Sequence, residues 1–151
     1  MQTPATIRAL AALRLEEADI LLVSGKLNGA FYLAGYSVEL ALKAKIAERL
    51  GVDSLFADQL LPGDQFADIG KLRQLVQTHT LELLLTVAGL RPGYIRQKTI
   101  DPKFSKFDPL FRAWSEKLRY EATSLFSGVI IGQFIQFLQA PNGLLAWIVK
   151  N

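Results

Sequence analysis

The chain has 151 residues, 17 Lys and Arg against 14 Asp and Glu, a formal net charge of +3, one His and no Cys. That length suits one ordinary domain and leaves no room for a second. Without cysteine there is no disulfide, thiolate nucleophile or cysteine metal site, and nothing requires an oxidising compartment, so the cytoplasm is the expected location. Half of the residues are hydrophobic, which points to a generous core or to an apolar face buried in an oligomer.

Thr3-Pro4 is a helix start, with Thr as N-cap and Pro at the first position, where a missing N–H is harmless. Ile7, Leu10, Ala11, Ala18, Leu21 and Leu22 then recur at helical spacing as far as Ser24-Gly25, predicting a first helix over 4–24. Arg8, Arg14, Glu16, Glu17 and Asp19 interrupt this segment, so it does not read as a signal peptide. Arg14 falls within the apolar stripe and needs a buried partner, for which Glu39 is one choice. Asn28 is expected to cap a second helix with Phe31, Ala34, Gly35, Val38, Leu42 and Ile46 on its inner face and Gly51 at its end.

Residues 51–70 read as a long connection with a short helical piece around 54–61. A third helix carries Leu81, Leu84, Leu85 and Ala88, begins between Ile69 and Thr78, and stops at Gly89. The stretch 91–106 reads as a basic loop holding Arg91, Arg96, Lys98, Lys103 and Lys106, interleaved with Tyr94 and Phe104, a pattern able to grip a single strand by charge and stacking. Asp108-Pro109 opens a fourth helix with Leu110, Phe111, Trp114, Leu118 and Ala122 inward, and a fifth spans 124–139 with apolar residues over more than half its circumference. A last short segment runs over 144–149. The most apolar stretch, 125–138, contains Ser127, Gln133 and Gln136 and is too short to cross a membrane. Period-two alternation never persists, so the fold is expected to be all-α.

On the second helix Tyr32, Tyr36, Glu39 and Lys43 are spaced by four, three and four and line one strip beside the core face. That strip is the leading candidate site, although Glu39 and Lys43 also suit an ordinary structural pair. His79, the single histidine, is the one side chain whose ordinary pKa suits general-base work near neutral pH. One histidine with dispersed carboxylates gives no metal-ligand spacing, no glycine-rich phosphate loop is present, and no cofactor is implied.

Ala18 and Leu21-Leu22, Ser24-Gly25-Lys26, Ala30-Phe31, the run GYSVELALKA from Gly35 to Ala44, His79 with Leu81 and Leu84, and Trp114 followed by Arg119-Tyr120 occur in an order that resembles the HEPN domain over about 20–140. The resemblance implies an up-and-down bundle of four to five helices, a homodimer, and binding of nucleotide or RNA. By the same resemblance the ligand-binding residues are Glu39, Lys43, His79 at the start of the third helix, and Arg119 with Tyr120; Tyr36 joins them from the strip. Nuclease members of that family carry an Arg and a His four to six residues apart near the last long helix, where this chain offers Ser124, Leu125 and Phe126. Arg73 and His79 have the spacing but precede the third helix, so an active ribonuclease using them ranks last among the expectations. A non-catalytic binding protein ranks first. An accessory subunit of a minimal nucleotidyltransferase, as in toxin and antitoxin pairs, ranks second.

Overall fold

A computed structural model describes residues 3–65 and 68–151, and every regular element among them is helical. The first helix, α1 (Pro4–Val23), starts where the sequence places it: Thr3 is extended, and its hydroxyl accepts from the Thr6 N–H at 3.3 Å. It ends at Ser24 and Gly25, whose φ of +74° takes the chain through the left-handed region open to glycine. Arg14 finds its partner in Glu17 at 3.0 Å rather than in Glu39, and its Nε is buried without a hydrogen bond.

A three-residue turn leads into α2 (Leu27–Leu50), which begins after Lys26 without any side-chain cap. Asn28 is therefore not the cap. Its amide instead donates to the carbonyls of Leu118 and Glu121, both at 2.7 Å, tying the start of α2 to a distant part of the chain. Fourteen of the 24 residues of α2 are buried, which makes it the central axle. The small side chains Ala30, Ala34, Ala41, Ala44 and Ala47 let helices close around it, and Gly51 at φ +65° terminates it as expected.

No helix forms over 54–61; the segment is a run of turns closed by a 3-10 turn at Pro62–Asp64. It is fixed by a buried polar knot. The Asp64 carboxylate accepts from Ser54 N–H at 2.8 Å and Ser54 O–H at 2.5 Å, while Ser54 Oγ accepts from Leu61 N–H at 2.8 Å.

The expected third helix is two, α3 (Ile69–Val76) and α4 (Leu81–Val87). Gln77 leaves helical geometry at ψ +42° and Thr80 is extended, so His79 sits in the break rather than on a helix. The basic stretch is likewise not a loop. Most of it forms α5 (Arg91–Ile100) and the start of α6 (Pro102–Ala113). Pro92 and Pro102 occupy first-turn positions, which proline tolerates, and Asp101 caps α6 through the Lys103 N–H at 2.9 Å. Pro109 thus lies inside α6 rather than opening a helix. The chain straightens at Trp114 and makes a five-residue 3-10 turn, Glu116–Tyr120. Leu110, Phe111, Trp114 and Leu118 are buried as the pattern required, whereas Ala122, beyond the turn, is exposed.

The apolar helix is α7 (Gly128–Gln139), capped by Ser127, and α8 (Leu144–Lys150) follows. By length and composition alone the combined run Gly128–Lys150, longer than the 125–138 stretch read from the sequence, is apolar enough to cross a membrane. It is broken at residues 140–143, however, and Ile131, Phe134, Ile135, Leu138, Leu144 and Ile148 are buried within the fold. A Cβ on Gly143 would lie 1.7 Å from the Phe137 carbonyl oxygen, so the fold-back of α8 depends on glycine there. The result is a helical bundle in which α1, α4, α7, α8 and the second 3-10 turn all touch α2. Edge-to-face ring pairs knit its core, among them Phe31–Phe126 at 5.2 Å and Phe104–Phe137 at 5.0 Å.

Candidate functional site

Glu39 lies on the inner flank of α2 and is 1% exposed. Burying a carboxylate without partners is very costly, and this one has two. Lys43, one turn on, donates to Oε1 at 2.6 Å, and His79 donates from Nδ1 to Oε1 at 2.9 Å and approaches Oε2 at 3.1 Å. With Nδ1 turned to Glu39, Nε2 is the ring nitrogen left for another partner, and the side chain is 46% exposed. Phe56, brought over by the knotted loop, lies under the Lys43 ammonium at 5.6 Å from the ring centre. These residues, with Tyr36, Gln77 and Leu40, line a hollow of about 220 Å³.

Tyr36 sits at the edge of that hollow. Burial, then the Glu39 carboxylate, then Tyr32, push its phenol above the ordinary value, with Arg14 acting the other way. Tyr36 stacks on Tyr32 at 6.1 Å with rings 14° apart, and Tyr32 stacks in turn on Trp114 at 6.1 Å. The indole N–H of Trp114 donates to the Tyr32 carbonyl at 2.9 Å, so the end of α6 is pinned to the middle of this row. Directly after Trp114 the 3-10 turn delivers Arg119 and Tyr120. The Arg119 guanidinium covers the Tyr120 ring at 4.9 Å, and that phenol, then Tyr32, favour its charged form. Arg119, Lys26, Asn28, Tyr32, Glu121 and Ser124 line a second cleft of about 510 Å³.

The structure therefore gathers Tyr36, Glu39, Lys43 and His79 into one hollow and sets Arg119 with Tyr120 at a separate cleft, the stacked tyrosines running between them. Glu116 lies within electrostatic reach of His79. Its carboxyl is held below the usual range chiefly by its own backbone N–H and the Ser115 hydroxyl, with His79 contributing. Arg73 is elsewhere engaged, donating to the Ala57 carbonyl, and shares no hydrogen bond with His79. No protein-family model, no curated protein and no solved structure matches this chain.

The basic residues of α5 and α6 do not form the stacking platform that their spacing suggested. Tyr94 is 5% and Phe104 1% exposed, both packed into the core, so neither ring can take a base. The Tyr94 hydroxyl donates to Asp108 at 2.8 Å, and burial, then that carboxylate, drive its phenol far above the ordinary value. Lys98 pairs with Asp108 and lies over the Tyr94 ring, and Lys106 donates to Gln133, while Arg91, Arg96 and Lys103 are exposed. Among the described residues no three His, Cys, Asp or Glu side chains converge as a metal site would need. Sequence reasoning missed Lys26, Phe56 and Gln77. Phe56 and Gln77 come from non-helical segments in which no periodicity exists to place them.

Proposed function

We propose that the chain is a HEPN-like helical protein that binds a nucleotide or RNA along α2 as a homodimer, without catalysis of its own. The observation that carries this reading is the cleft of Lys26, Arg119 and Tyr32 next to the 76%-exposed ring of Tyr120. Among the described residues no ion pair holds Arg119 or Lys26. Neither cation is neutralised by a carboxylate, so both can meet phosphate, and Arg119, resting on the Tyr120 ring, presents a planar guanidinium on which a base can stack. Lys43, by contrast, already neutralises Glu39, so its role is to hold the floor of the neighbouring hollow. The engaged Arg73, and Ser124, Leu125 and Phe126 standing where the family's nucleases have histidine, support the non-catalytic reading.

Fluorescence anisotropy of a labelled single-stranded RNA and of a labelled mononucleotide, at two salt concentrations, tests the reading. Binding should weaken with salt, and Arg119→Ala should lower affinity and reduce the salt slope by about one phosphate contact. Affinity indifferent to Arg119→Ala would remove the proposed cleft. A chain with no affinity for either probe, isolated with a protein partner, would favour the accessory-subunit alternative.

A further inference from the structure

The inner face of α1 buries Ile7, Ala11, Leu15 and Ala18. Its outer face is also apolar. Leu13, Ile20 and Val23 are 45%, 65% and 84% exposed, and Ala9, Ala12 and Glu16 are exposed alongside them. From Ala9 through Leu13, Glu16 and Ile20 to Val23 the spacings alternate four and three, which keeps these residues on one strip, as in the seam of a helix that packs along another.

A shallow groove between α1 and α8 borders that strip. One part, about 310 Å³, is walled by Ala11, Ala12, Ala41, Leu145, Ala146 and Val149; the other, about 380 Å³, shares Ala12, Leu145 and Ala146 with it. Alanine walls permit the close approach of a helix. The charges on this face are segregated. Arg8 and Lys150 rim the groove, with Lys45 behind them, whereas the other half of α1 carries Glu16, Glu17 and Asp19.

We infer that this face joins two copies of the chain, paired antiparallel through α1, an inference that rests on the homodimer of the proposed function and specifies its contact. Arg8 and Asp19 are eleven residues apart, roughly 20° more than three full turns, so they share one flank of α1 at about 16 Å separation. A twofold axis between Leu13 and Arg14 sets Arg8 of each copy against Asp19 of the other. It also places Glu16 of each copy near the basic rim of the other's groove and Leu13 beside its own symmetry mate. Such a surface complements itself, as an isologous interface must. The 20 residues of α1 make a strip of about 30 Å, and with α8 the footprint is on the order of 600 Å² per copy, at the low end for a specific interface. The dimer is accordingly one that dissociates on dilution.

Sedimentation velocity over a wide concentration range tests this, with circular dichroism to verify each variant's fold. The wild type should be a dimer at high concentration, Leu13→Glu should be monomeric, and Asp19→Arg should weaken association at least about tenfold. The double variant Arg8→Asp with Asp19→Arg should recover dimerisation, because the exchanged charges meet only between copies. Loss of the exposed Arg8–Glu48 pair within one chain costs little. A wild-type dimer unmoved by Leu13→Glu and Asp19→Arg overturns this contact and leaves the homodimer standing. A wild type that stays monomeric overturns both, and RNA titration of the same samples reports on ligand binding separately.

Discussion

One methyl group at Gly35 should disturb both the core and the site. A Cβ there would lie 2.0 Å from Cδ1 and 2.3 Å from Cγ and Nε1 of Trp114, whereas carbon atoms in contact sit at about 3.5–4.0 Å. The indole has little room to retreat, being 5% exposed, stacked on Tyr32 and hydrogen-bonded to the Tyr32 carbonyl. Alanine in mid-helix favours α2 by about 1 kcal/mol. Against that stand about 1–3 kcal/mol of overpacking, about 1 kcal/mol for the strained hydrogen bond and about 0.5–1.5 kcal/mol for the displaced ring pair. Gly35→Ala should therefore lose about 2–4 kcal/mol, or roughly 5–15 °C in Tm for a chain of this size. Urea unfolding followed by tryptophan emission and circular dichroism measures it. A variant as stable as wild type, with unchanged emission, would refute the reasoning.

Glu39→Gln leaves the Lys43 ammonium, its side chain 13% exposed, without a counter-charge, and should cost about 2–4 kcal/mol in urea unfolding; a cost under about 1 kcal/mol would mean that the pair is not what holds the hollow. Ser54→Ala removes two hydrogen bonds of the loop knot and should cost about 1–3 kcal/mol. It should also speed amide exchange at Leu61, and unchanged exchange there would contradict the assigned role. The phenols of Tyr36 and Tyr94 are both raised in the folded chain, so their contribution to stability is complete below about pH 10, where unfolded tyrosine ionises, and drains away as pH climbs toward the folded values. Urea midpoints measured through the alkaline range should decline less steeply in Tyr94→Phe, and identical slopes would discount the buried phenol as the cause.

Local signals strong enough to stand alone were read correctly. Thr3-Pro4, Ser24-Gly25 and Gly51 bound α1 and α2 as their chemistry dictates, and the tyrosine, glutamate and lysine strip follows from helical spacing without further information. Proline was the main source of error. Pro92 marked the end of a helix and Asp108-Pro109 the start of another, so 91–106 read as a loop, yet Pro92 occupies the first turn of α5 and Pro109 is tolerated inside α6. Asn28 resembled a cap because its side chain seeks backbone partners. It satisfies them across about ninety residues of sequence, which no local rule detects. His79 meets Glu39 across forty residues of sequence from a helix break at 77–80, a contact that local spacing does not reveal.

The burial of α2 has a consequence for how a ligand would register. Binding sites on mobile loops pass their energy to the loop alone, because such segments open far more often than the molecule unfolds. Here Asn28 and Tyr32, which line the proposed cleft, project from the helix around which the other elements pack. Anything gripping them becomes linked to the global unfolding equilibrium, and saturation at a hundred times its Kd would add about 2.7 kcal/mol to the whole fold. Occupancy would slow exchange of the deepest amides, those of Leu42 and Ile46, as well as those beside the ligand.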